Sequence, residues 1–141
     1  MVETLVALVV LSLGMLGIAT LYLTTLQAAR SAISRMQAVN LVTDLADRIR
    51  ANRTAGVAYA GAGANNNCAG GAIGAVSCTP AQMAANDLFL WQQQFAGGVL
   101  GTAPASVVNF VAGTPNTYTI TLSWQEPGQT QALSYAVNFQ L

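Results

Sequence analysis

The chain has 141 residues, enough for one modest domain and an appendage. Only 7% of them are charged, Lys and His are absent, and the formal net charge is zero. This composition lacks the basic stripe that a nucleic-acid binder needs to neutralise phosphates, so no direct nucleic-acid binding is expected. It also lacks the usual general base and the commonest metal ligand. The charges are segregated, with all five Arg between Arg30 and Arg53 and only Asp87 and Glu126 in residues 54–141.

The chain opens "MVETLVALVVLSLGMLGIATLYLTTLQ", and after Glu3 the next charge is Arg30. Residues 4–29 are 26 uncharged positions. As a helix rising about 1.5 Å per residue they exceed the ~30 Å hydrocarbon core of a bilayer. A cleavable signal peptide has a basic start and a shorter apolar stretch. A membrane-inserted helix over residues 1–29 is therefore expected. Gly14 and Gly17 fall short of a GxxxG spacing and mark either a packing notch or a local softening. Orientation is contested. Arg30 and Arg35 argue for a cytoplasmic C-terminal end by the positive-inside rule, whereas a disulfide beyond them argues for the opposite side. A basic segment ahead of Met1 would decide it. On composition alone Glu3 reads as a residue at headgroup level, close enough to water to stay ionised.

Residues 30–53 continue the helix in amphipathic form. Ile33, Leu41, Leu45 and Ile49 recur at multiples of four, and Met36, Val42 and Ala46 widen the stripe. Asp44 precedes Arg48 by four residues and Asp47 precedes Arg50 by three, the favourable acid-first order. No breaker appears before Thr54-Ala55-Gly56, so residues 4–53 predict one helix of about 75 Å at ~1.5 Å per residue.

Residues 54–141 read as a globular head. A Gly-, Ala- and Asn-rich loop comes first and holds Cys68 and Cys78 in "CAGGAIGAVSC". Their spacing is not that of a thioredoxin-like redox pair, and two cysteines supply at most half a zinc site. A single bridge is the simplest reading, with two free buried thiols as the alternative. The glycines form no phosphate loop. A helix starts at Thr79 or Pro80 and ends at Gly97-Gly98, with Met83, Leu88, Trp91 and Phe95 toward the core. Strands follow at 106–111, 117–124 and 133–141. Tyr118, Ile120, Leu122 and Trp124 share one face, and Pro127-Gly128 suits the centre of a type II turn. The expected fold is α+β, a long N-terminal helix on a small antiparallel sheet. No nucleophile–base pair, carboxylate dyad or metal set is visible, so neither catalysis nor a cofactor is expected.

The run "ETLVALVVLSLGMLGIA" resembles the N-terminal segment of type IV pilins and type II secretion pseudopilins, where a hydrophobic helix follows a glutamate at the fifth mature position. "ADRIRANR" (46–53), the terminal strand pair with Trp124 and the cysteine loop are most similar to the PilV minor pilins. The resemblance implies that Glu3 corresponds to the family glutamate. Residue 1 would then lie about two residues inside the mature protein, beyond a basic leader that keeps the N-terminus cytoplasmic and the head periplasmic. It implies a docking role for Glu3 against the N-terminal ammonium of a neighbouring subunit. Implied partners are other minor pilins and the major pilin through the N-terminal helix, the inner-membrane assembly platform, and membrane lipid before assembly. The implied function is a minor pilin subunit incorporated in, or priming, a type IV pilus. A type II secretion pseudopilin is the alternative of the same class, and a membrane-anchored ligand-binding or adhesive head is one of another class.

Overall fold

The computed structural model describes residues 2–68 and 76–141. It divides into two compact units, one ending at Ile33 and one spanning Ser34–Leu141. Helix α1 (Val2–Ala51) supplies all of the described first unit and the first element of the second. Its continuity follows from composition, since no proline falls within it, the first in the chain being Pro80. Both acid-first pairs form, Arg48 Nε to Asp44 at 3.0 Å and Arg50 Nη1 to Asp47 at 2.7 Å.

The helix stops two residues before the expected Arg53. Asn52 leaves the helical region (φ −116°, ψ 53°), and its side-chain amide donates to the Pro80 carbonyl at 2.9 Å. That bond joins residues far apart in sequence, which is why local propensity does not reveal the stop. A 3-10 segment, Arg53–Ala60, replaces the start of the expected loop. It is kinked at Gly56, whose φ of 52° favours glycine. Tyr59, its anchor, is wholly buried. Residues 62–67 then lie against α2 (Pro80–Ala96). A Cβ on Gly63 would stand 2.7 Å from the Phe89 backbone nitrogen, so only glycine fits this close approach.

Helix α2 begins where the sequence places it. Thr79 and Gln82 form a reciprocal capping box behind Pro80, and Gly97 follows the last turn. Leu88, Trp91 and Phe95 are buried as expected, but Ala84 rather than the half-buried Met83 opens the buried row. The small Ala side chain allows closer helix packing than Met would.

Three antiparallel strands form a meander of order β1-β2-β3: β1 Thr102–Val111, β2 Thr117–Gln125 and β3 Ala132–Gln140. β1 starts four residues before the expected 106, crossing a register shift between Thr102 and Ala105 that accommodates Pro104. The turn after β2 is type II in form, with Gly128 at φ 83° and the Gln129 N–H donating to the Glu126 carbonyl at 3.1 Å.

Central strand β2 turns Tyr118, Ile120, Leu122 and Trp124 into a core shared with Val42, Leu45 and Ile49 of α1 and Leu88 and Trp91 of α2. The fold is the α+β arrangement expected from the sequence. The α1 stripe is shorter than expected, because Ile33 and Met36 are 55% and 67% exposed and burial on α1 begins at Ala38. Helical periodicity shows which face is apolar, not how far along it a partner extends.

Candidate assembly segment and the head junction

The first unit is a helix with almost nothing buried. Val2, Leu5, Leu8, Leu13, Ile18 and Leu21 are all more than 60% exposed. The most apolar stretch has a mean hydropathy of 2.4, and none of it is buried within the chain. By length and composition the helix can cross a membrane. Its polar side chains are compatible with an apolar medium. The hydroxyls of Ser12, Thr20, Thr24 and Thr25 each donate to the carbonyl three residues back at 2.8 Å. Gly14 and Gly17 have open space where a Cβ would stand, so the chain's own packing does not require glycine at either position.

Glu3 lies in the first turn of α1 and is exposed. There the helix dipole favours a carboxylate by roughly 0.3–1 kcal/mol. Among the described residues it has no ion-pair partner. The first Arg of the helix is Arg30, roughly 40 Å away at ~1.5 Å rise per residue. In an apolar environment such a carboxylate needs a cation, because an unpaired buried charge costs on the order of several kcal/mol. Any such cation among the arginines of this helix is out of reach.

The second unit holds the two cysteines and a polar junction. Cys68 and Cys78 are joined by a disulfide, and Cys68 is buried. The Cys68 and Asn66 backbone N–H groups donate to Oδ1 of Asn86, a buried side chain on α2, at 3.4 and 3.1 Å. Asn86 thus seats the entry to the bridge on the helix. The next residue along α2, Asp87, accepts from Arg48 Nη1 at 3.3 Å and from the Tyr59 hydroxyl at 2.7 Å. The same hydroxyl lies 3.2 Å from the Arg48 carbonyl, which also accepts the Asn52 backbone N–H at 3.0 Å in the last turn of the helix.

Burial, reinforced by the hydrogen bond to Asp87, pushes the Tyr59 pKa well above the usual tyrosine value. Burial alone would lower Arg48, but its hydrogen bonds and attraction to Asp44 and Asp87 outweigh that and hold it above its ordinary value. The group keeps Arg48 charged and Tyr59 neutral, which makes it a clamp between α1, the 3-10 segment and α2. The sequence reading missed this junction, although a lone tyrosine in a Gly- and Ala-rich run and an isolated Asp on an uncharged helix were its visible traces. An open depression of about 370 Å³ lies beside it, lined by Gln37, Asn40, Leu41, Asp44, Gln94 and Val99. Among the described residues no cluster of three or more acidic or cysteine side chains could hold a metal ion.

Residues 20–89 match the model of a family described as Tt1218-like, type IV pilin Tt1218. The match runs from the second half of the apolar segment to the middle of α2, just under half of the chain, and supports a type IV pilin-like family. No curated protein and no solved structure matches the chain.

Proposed function

We propose that the chain is a non-enzymatic, type IV pilin-like subunit that acts as a minor pilin of the PilV kind, incorporated in or priming a pilus. One observation carries the reading: an exposed, 26-residue uncharged helix headed by Glu3 continues into the part of the chain that matches a pilin family. An apolar helix with no cover of its own needs either lipid or other apolar helices around it. Before assembly the first unit sits in the inner membrane with the head in the periplasm, where the disulfide is stable. After assembly, neighbouring N-terminal helices replace lipid.

Glu3 then has a defined role. Surrounded by apolar helices it needs an external cation, and the ammonium at the N-terminus of an adjacent subunit supplies one of suitable charge and reach. A subunit docked out of step leaves Glu3 unpaired, so the pair enforces register by penalising the wrong position. Glu3→Ala is expected to cut incorporation into pili while leaving the head folded, read by pilus counts and by immunoblot of sheared pili. Unchanged piliation would sink the docking role.

A type II secretion pseudopilin shares the same helix and assembly logic. Deleting the gene separates the two. Loss of pili and twitching with normal protein secretion supports the pilus role, and the reverse supports the secretion role.

A further inference from the structure

The two outer edges of the sheet are guarded differently. β1 opens with a register shift between Thr102 and Ala105, a proline at 104 and a positive φ of 49° at Ala103. Bulges and prolines discourage an edge from pairing with another chain. β3 has neither, and carries no charge. It pairs with β2 in unbroken register from Ala132 to Gln140. Among the described elements β2 is its only sheet neighbour.

The register identifies which groups are left open. Asn116 and Leu141 exchange both backbone bonds, at 3.0 and 2.9 Å. In an antiparallel ladder such exchanging pairs recur at every second residue. Phe139, Val137, Tyr135 and Leu133 therefore turn their N–H and C=O groups toward β2, opposite Tyr118, Ile120, Leu122 and Trp124. Ser134, Ala136, Asn138 and Gln140 turn theirs toward the open edge. The side chains of these four are exposed, whereas Leu133, Tyr135, Val137 and Phe139 on the core side are only half-buried.

We propose that β3 pairs with β3 of a second copy, antiparallel, about a two-fold axis at Ala136. An extended strand is what a row of open N–H and C=O groups accepts, and a second copy presents the same row unguarded. This register sets Leu133 opposite the partner's Phe139 and Tyr135 opposite the partner's Val137, so the two half-buried apolar rows cover each other. Ser134 meets the partner's Asn138 on the exposed face, and no charge meets a like charge anywhere along the strand. The pair is isologous and closes at two copies. It is thus a state of the subunit outside any filament, and does not depend on the pilin-like reading.

Residue 136 faces its own copy across the axis, which gives a test that other modes of association do not pass. The full chain in detergent micelles is followed by sedimentation equilibrium, with circular dichroism to check the fold. Ala136→Lys and Ala136→Asp, both at an exposed position, are each expected to weaken pairing by about fivefold through like-charge opposition. An equimolar mixture of the two variants is expected to pair at least as tightly as the unsubstituted chain. A chain that stays monomeric, single variants that pair as tightly as the unsubstituted chain, or a mixture no tighter than its components would each overturn the proposal.

Discussion

Tyr59 is the residue on which most of the head's polar order converges. Its hydroxyl joins Asp87, the Arg48 carbonyl and the Asn52 amide in one small volume. Tyr59→Phe removes the donor and leaves Asp87 without the shorter of its two hydrogen bonds, with Arg48 remaining at 3.3 Å. The expected loss is ~1–3 kcal/mol of stability, measured by chemical denaturation. The raised Tyr59 pKa also fixes a pH dependence. The stabilisation is fully present below the unfolded tyrosine value of about 10 and is lost as pH rises toward the folded one. Across this window the unfolded chain gives up a proton that the folded chain keeps, so stability falls with pH. The fall should be shallower in Tyr59→Phe. It should not vanish, because burial also raises the pKa of Tyr118.

At the scale of elements, the bridge and the α2 cap act on the same stretch of chain. The disulfide closes a loop with a sequence separation of ten residues. In the chain-entropy model a loop of that size is worth about 2–3 kcal/mol. Reduction, or Cys68→Ala with Cys78→Ala, is expected to lower the denaturation midpoint accordingly while leaving the far-ultraviolet dichroism of α1 and α2 intact. The reason is that α2 carries its own start signal in Thr79, Pro80 and Gln82, and Trp91 ties it independently to α1 by donating to the Leu41 carbonyl at 2.7 Å. A bridge that nucleated α2 would instead take the helix with it on reduction, and the dichroism would fall.

At the scale of the molecule, the two units have different solvents in view. Among the described residues every member of the buried core lies at or beyond Ala38, and the first unit contributes none. Residues 34–141 expressed alone are therefore expected to be soluble and to unfold in one cooperative thermal transition. A fragment lacking near-ultraviolet dichroism would show that the first unit does more than meet lipid or other helices. Conversely, Gly14→Ala or Gly17→Ala should leave the stability of the isolated chain unchanged, since neither position touches anything in it.

Much of this was legible from residue order. The absence of proline before Pro80 dictated one long helix, the Thr79–Gln82 signal dictated the start of α2, and the alternation from Tyr118 to Trp124 dictated the central strand. These are signals within a few residues of the structure they specify, and local sterics and hydrogen bonding suffice to act on them. The length of the buried stripe on α1, the stop at Asn52, the 3-10 segment around Tyr59 and the pairing of Arg48 with Asp87 were decided only by tertiary structure. The last three depend on partners 7–39 residues away. The stripe depends on core partners in α2 and β2 farther along the chain, and periodicity along one element does not register where another element ends. Glu3 is of the first kind: its place at the head of an apolar helix is dictated by sequence, and the next charge along that helix is Arg30.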